Sequence, residues 1–258
     1  MKKKPTLKRA SVVSTQTITP NMQRVVLQSD DFAKFPHDCG GDYVKLVFTP
    51  DGGTDLTDLA DASRPVMRTY TIRQFDPQAN TIEIDFVRHI TQDPSCGFAA
   101  RWAMQVSVND TISIAGPGSI APMNLTASWY FMVADMTSLP ALTAKTKSLP
   151  QHAQGYAVIK VTSKEDVQAL ELPKSMQVIW VVGDDSIEEQ VRKLEWLSGD
   201  VFVWCASEFD TMRAMRQYFR NEKNVDRESI YISSYWKHGV TEDGHKVLKK
   251  QDAEQESD

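Results

Sequence analysis

The segment Arg68-Thr69-Tyr70-Thr71, with Arg73 two residues on, gathers a cation, an aromatic ring and two hydroxyls. On a strand, Arg68 and Tyr70 share one face and Thr69 and Thr71 the other, because side chains alternate. Such a set suits a planar conjugated ring that carries phosphate, such as a flavin. The ring needs an aromatic or apolar surface and donors at its edge, and the phosphate needs a cation. The same four residues also make an ordinary barrel strand with exposed charge and a core tyrosine, so the tetrapeptide alone leaves both readings open.

Other chemistry is sparse. Cys39, Cys96 and Cys205 are odd in number and have neither metal-ligand spacing nor a disulfide framework, which fits a reducing cytoplasm. Cys96 and Cys205 read as ordinary thiols, although Cys205 falls at a ligand-facing strand end. Asp184 and Asp185 are of the type that holds a ribose, but such a pair more often caps the next helix. Met132, Met212 and Met215 read as core fillers, and Trp180, Trp196 and Trp204 as interior packing. Neither a GxGxxG fingerprint nor a P-loop occurs.

Two kinds of element must position these residues. The chain has 258 residues, 41% hydrophobic and 24% charged, a globular balance at a length that suits two domains. Up to about Met123 the apolar positions alternate in short runs, at Ser11–Thr19, Arg24–Gln28, Tyr43–Phe48, Tyr70–Phe75, Thr81–Val87 and Thr111–Ala115. Glycine, proline and asparagine turns separate them, which predicts a six-stranded antiparallel β-barrel. Gly97–Gln105, rich in alanine, predicts a short helix.

Beyond residue 124 the texture changes to solid apolar runs at Trp129–Ala134, Tyr156–Val161, Val178–Val182, Val201–Ala206 and Ile230–Ser233. These alternate with helical spacings at Ile187, Val191, Leu194 and Leu197, and at Phe209, Met212, Met215 or Arg216, and Phe219. An open five-stranded parallel α/β sheet with strands buried on both faces is expected, so the domains are 1–124 and 125–258. Ligands in such sheets bind at the carboxyl ends of strands, here the loops at 135–138, 183–185, 205–208 and 233–236. Lys246–Lys250 are expected to end a short solvent-facing helix, and Ala253–Asp258 form an acidic tail with nothing to bury.

The net charge of −5 disfavours a nucleic-acid partner, and no apolar run approaches the roughly 20 residues of a spanning helix. The lysines and arginine of Met1–Arg9 precede no apolar core, so this start reads as a solvated leader. No internal repeat is present.

Downstream of the first tetrapeptide lie Ile82–His89, then Gly97-Phe98-Ala99-Ala100-Arg101-Trp102-Ala103, then Ala115–Gly118. Later come Asp135-Met136-Thr137-Ser138-Leu139-Pro140-Ala141-Leu142 and Tyr235-Trp236-Lys237-His238-Gly239. In order and spacing this set resembles the siderophore-interacting protein family, related to the ferredoxin reductase-like flavoenzymes.

The resemblance implies FAD as cofactor, bound by Arg68, Tyr70 and Thr71, with Arg68 near the phosphates and Tyr70 against the ring. It further implies Asp85, Val87 and His89 along the ring or ribityl chain, partly through backbone, and Gly97, Ala99, Ala100 and Trp102 around the pyrophosphate. Thr137 and Trp236 complete the cofactor set. A basic substrate site for a ferric siderophore would comprise Lys45, Arg101 and Lys237, with His238, His245 and Lys246 as lesser candidates.

The implied activity is FAD-dependent reduction of ferric siderophores in the cytoplasm by a monomer, with electrons from NAD(P)H or a ferredoxin-like donor. Single-electron transfer needs no general base, so no catalytic acid or base is assigned, and no resident metal. Alternatives are a flavin or ferric-siderophore carrier without turnover, and a general flavin-dependent reductase with another acceptor. Four departures stand out: Ile90 in place of glycine with an insertion at 91–96, Phe98 for proline, Ala206-Ser207-Glu208 for Gly-Glu, and Ser234 for glycine.

Overall fold

A computed structural model describes residues 6–57, 63–89 and 97–255. Ile90, the 91–96 insertion, Cys96, Lys2–Lys4 and the last three residues lie outside the described residues. The chain divides into two compact units, Met1–Ile120 with Thr143–Lys145, and Ala121–Leu142 with Thr146–Asp258.

The first unit holds β1 (Lys8–Thr19), β2 (Met22–Gln28), β3 (Tyr43–Phe48), β4 (Val66–Thr71), β5 (Gln74–Asp76), β6 (Thr81–Val87), α1 (Phe98–Gln105) and β7 (Thr111–Gly118). All pairings are antiparallel, in the order β4-β3-β7-β1-β2-β6-β5. Seven strands replace the six expected, because the run Tyr70–Phe75 breaks in two. The Ile72 amide bonds to the Asp42 carbonyl at 2.8 Å, while the Arg73 amide bonds to the Glu83 carbonyl at 2.9 Å. The chain thus passes from the β3 side of the sheet to the β6 side within two residues. Since β4 and β5 are the two ends of the strand order, this link forces the sheet to curl into a barrel whose ladder stays open.

Alternation fills the barrel. Val25, Leu27, Leu46, Ile82, Ile84, Phe86, Ile112 and Ile114 are buried in one cluster, each contributing roughly 1.5–3 kcal/mol by burial. Lys8 and Arg9 are not part of a leader: both belong to β1, and Lys8 Nζ donates to the Gly116 carbonyl at 2.8 Å.

The second unit holds β8 (Trp129–Asp135), α2 (Leu139–Thr146, apart from Thr143–Lys145), β9 (Gln154–Val161), β10 (Ser175–Val182), α3 (Ile187–Lys193), β11 (Val201–Glu208), α4 (Phe209–Arg216), β12 (Ile230–Trp236) and α5 (Glu242–Gln255). The order is β10-β9-β8-β11-β12, all parallel. Central β8 is buried on both faces from Trp129 to Ala134, as its unbroken apolar run requires. Edge strand β10 is not: Val178, Ile179 and Trp180 are half-buried. Of the tryptophans expected inside, Trp204 is buried and Trp196 half-buried.

Three local expectations are corrected. Helix α3 stops at Lys193, and Leu194 and Leu197 pack on the core from the following loop. Its cap is Ser186, whose Oγ accepts from the Glu189 amide at 3.2 Å, and neither Asp184 nor Asp185. Helix α5 continues past Lys250 to Gln255, because Asp252 bonds Arg216 Nη2 at 2.7 and 2.9 Å and pairs with Arg213 at 3.3 Å. Along α4 and the π-helical segment after it, Phe209, Met212, Met215 and Phe219 form the buried stripe, with Met215 inward and not Arg216.

Gly155 at the start of β9 has φ of +129°, and a Cβ there would overlap the backbone of Tyr130, its partner on β8. Gly155→Ala is therefore expected to destabilise the second unit by about 3 kcal/mol or more. Urea unfolding followed by circular dichroism measures this.

Candidate functional site

In the first unit, the register of β3 with β4 pairs Tyr70 with Val44 and Arg68 with Leu46. Directly opposed residues share a face, so Arg68 and Tyr70 belong to the face of Val44 and Leu46. The Tyr70 ring lies 4.4 Å from that of Phe86, tilted by 40°. Trp102 of α1 meets the same Phe86 edge-on at 5.8 Å. Phe86 thereby holds an aromatic wall with Tyr70 and Trp102 on it, and Thr71, on the other face of β4, is buried.

Strand β6 supplies polar groups. β5 lies opposite residues 81–83, and among the described residues the rest of β6 is paired on the β2 side alone. The Arg88 amide bonds toward β2, to the Asn21 carbonyl at 2.9 Å, so even-numbered residues face β2. By alternation the N–H and C=O groups of Asp85 and Val87 point to the other edge. His89 Nδ1 stands 3.1 Å from the Val87 carbonyl, at the end of that edge.

The Asp85 carboxylate is itself committed: Arg24 holds it with two bonds of 2.7 and 2.9 Å, and Arg73 Nε lies 3.2 Å away. Asp85 therefore offers a ligand its backbone. Glu83 completes the quartet, 3.0 Å from Arg73 and 3.4 Å from Arg24. Arg73 is part of this network, next to the site and not in it.

Helix α1 begins after Gly97, whose φ is +69° and which provides no side-chain cap. First-turn amides of a helix lack intrahelical partners and favour anions. Ala99 and Ala100 keep that turn small. Arg101 and Arg68 converge, their guanidinium carbons 5.4 and 5.7 Å from the centroid of the Phe98 ring. Lys45 pairs with Thr69 and so lies on the opposite face of the β3–β4 ladder from Arg68 and Tyr70.

In the second unit, strand order reverses between β8 and β11, the place where open α/β sheets bind ligands. Asp135 closes β8 there. Its Oδ1 accepts from the Thr137 amide at 2.9 Å, the Thr137 hydroxyl at 2.6 Å and the Ser138 amide at 3.2 Å. Its Oδ2 accepts from the Glu208 amide and the Trp236 indole N–H, both at 2.8 Å. Ser138 Oγ also donates to the Ala206 carbonyl at 2.5 Å. One carboxylate thus ties the ends of β8, β11 and β12 together and orients Trp236, which remains 37% exposed. The Thr137 hydroxyl is spent on Asp135.

Lys237 meets two carboxylates, Glu208 at 3.3 Å and Asp210 in a closer contact. Asp210 first, then Glu208, hold its ammonium above the ordinary lysine value. Glu208 also caps α4, accepting from the Asp210 amide at 2.6 Å.

Ser234, which stands where the resemblance places glycine, turns inward: its Oγ is 2.6 Å from His245 Nε2 and 3.0 Å from the Trp236 carbonyl. His245 is therefore no surface cation. It is 4% exposed, and burial, aided by Lys249 and Lys246 against Glu242 and Glu208, holds it below the ordinary histidine value. Lys246 pairs with Glu242 and Asp243, both at 3.2 Å. Burial pushes the Cys205 thiol up to about 12 and that of Cys39 to about 11, so both are inert. The Asp135 hub and the Arg24–Asp85 pair were not foreseen. Asp135 had a signal, as an acidic residue closing an apolar run at a predicted ligand loop.

Residues 11–121 match the siderophore-interacting FAD-binding domain, and residues 127–239 match the siderophore-interacting protein family. The ferric vibriobactin reductase ViuB of Vibrio cholerae is 30% identical over 249 residues, 90% of each chain. The chain belongs to the siderophore-interacting protein family. The crystal structure of the siderophore-interacting protein SipS from Aeromonas hydrophila superposes with a TM-score of 0.82 at 31% identity, covering 95% of this chain and 99% of that one. The NADPH-dependent ferric-chelate reductase of Escherichia coli is 24% identical over 238 residues, 88% of this chain and 91% of that one.

The barrel of this siderophore-interacting protein is an FAD-binding domain, and its residues fit the cofactor. Tyr70 offers a ring surface, the free edge of β6 offers donors and acceptors, and Arg68 and the start of α1 offer positive charge. No helix among the described residues is long and apolar enough to cross a membrane.

Asp135→Asn replaces an acceptor by a donor facing N–H groups, and is expected to cost the second unit about 2–3 kcal/mol in urea unfolding. His245 adds a pH dependence. The unfolded chain binds a proton near pH 6.5 and the folded chain only at lower pH, so stability falls as pH drops below about 6.5. His245→Gln should lose that dependence in unfolding measured from pH 5 to 8.

Proposed function

We propose that this siderophore-interacting protein reduces ferric siderophores by way of bound FAD, releasing Fe(II). The observation that carries this is the presence, in one FAD-binding domain, of the Tyr70–Phe86 wall, an edge of β6 that is unpaired among the described residues, and the Arg68 guanidinium. When bound, FAD converts a two-electron donor into one-electron steps, so one NAD(P)H serves two ferric ions.

The chain's own residues position. Residues 1–124 carry the flavin: Tyr70 lies against the ring and Thr71 supports it, while Asp85, Val87 and His89 line its edge or the ribityl chain. Arg68 and the α1 start, from Gly97 through Ala99 and Ala100 to Trp102, meet the phosphates. Residues 125–258 serve the electron donor, with Thr137 and Trp236 completing the cofactor set. Lys45, Arg101 and Lys237 attract an anionic ferric chelate. Lys237 does so in competition with Glu208 and Asp210, so its share depends on chelate charge. The relatives' names, ferric vibriobactin reductase and NADPH-dependent ferric-chelate reductase, support this substrate class and NADPH as donor. We place the protein in the cytoplasm, as a monomer.

One observation favours a second reading, a carrier without fast turnover or a protein donor such as a ferredoxin. The amides of Thr137, Ser138 and Glu208, which a nucleotide pyrophosphate would use, already bond to Asp135. Anaerobic stopped-flow mixing of the FAD-loaded protein with NADPH, NADH and reduced ferredoxin separates the readings. Reductase activity requires flavin bleaching by at least one donor, then ferric siderophore loss with Fe(II) trapped by a chelator. No bleaching by any donor leaves only the carrier. Alanine at Lys45, Arg101 or Lys237 is expected to weaken ferric siderophore binding about two- to fivefold each, sparing FAD.

A further inference from the structure

We propose that Phe98 is a positioning residue for flavin phosphate binding, its ring being the platform that holds the Arg68 guanidinium. This rests on the reading that Arg68 serves the phosphates.

Phe98 opens α1, and its ring is 5% exposed. It is fixed from two other sides. Phe48 lies 6.3 Å away at 47°, and Gly52, with φ of +91°, abuts it so closely that a Cβ would come within 2.8 Å of Phe98 Cδ1. Few residues but glycine adopt that φ, so the turn at Gly52 after β3 is shaped to receive a ring. Onto this ring come two cations from separate elements, Arg68 of β4 at 5.7 Å and Arg101 of α1 at 5.4 Å. Both distances are within the range at which a guanidinium is attracted to a ring face.

An arginine side chain has many rotamers, and ordering one on binding opposes affinity. A guanidinium already held by a ring loses less, so Phe98 raises phosphate affinity without touching phosphate. The proline that the family resemblance places here has no aromatic face and cannot do this.

The test is titration of the full chain, freed of flavin, with FAD, FMN and riboflavin, followed by flavin fluorescence. Phe98→Leu, or Phe98→Met where leucine impairs folding, is expected to weaken FAD and FMN about two- to fivefold. Riboflavin, which lacks phosphate, should be unchanged, and Phe98→Tyr should bind as wild type. In an Arg68→Ala background the Phe98 substitution should have no further effect on FAD. Equal losses for riboflavin, persistence of the loss in the Arg68→Ala background, or no loss at all would overturn the proposal. Failure of the wild-type chain to bind any flavin is a separate result, which removes the functional reading beneath it.

Discussion

The Asp135 carboxylate is the interaction on which the second unit's ligand-facing end depends. Both oxygens are saturated by donors from the turn after β8, from Glu208 and from Trp236. Parallel strands that meet where strand order reverses diverge at their carboxyl ends, and the loops there have few partners of their own. A single anion that accepts from three strand ends removes that freedom. It also explains why an exposed tryptophan can be held in one orientation, since its indole N–H has a charged acceptor.

The barrel solves the matching problem differently. Its inner face is apolar, and the Tyr70–Phe86 pair is assembled where the ladder of described strands stays open. The short β5 covers only part of β6, and the two-residue link at Ile72 and Arg73 brings Tyr70 to Phe86. The quartet of Arg24, Arg73, Glu83 and Asp85 pins the same strand from the other face. A charged cluster that is internally paired leaves the backbone of β6, and not its side chains, as the polar surface for a ligand.

Much of this was legible. The solid run Trp129–Ala134 could only be a strand buried on both sides, and the alternation of Thr81–Val87 marked the strand that is β6. The break at Ile72–Arg73 was hidden because apolar alternation continues through it, from Tyr70 to Ile72, while the hydrogen-bond partner changes. Arg24 and Asp85 are 61 residues apart, so their pairing depends on strand register and on nothing local. His245 misled because Lys246, Lys249 and Lys250 surround it in sequence. On the helix it faces inward, where Ser234, the residue that replaces glycine, is its partner. The motif residues proposed for the flavin were visible in the sequence as types, and their geometry, above all the sharing of Phe98 by two arginines, was not.

The central claim is that reduced flavin in this protein passes electrons to a chelated ferric ion. The most direct measurement is to reduce the FAD-loaded protein photochemically without oxygen, mix it with a ferric siderophore, and follow flavin reoxidation together with Fe(II) capture. The account predicts flavin reoxidation with about two Fe(II) formed per flavin, independent of any pyridine nucleotide. Flavin that stays reduced in the presence of a bound ferric siderophore would contradict it.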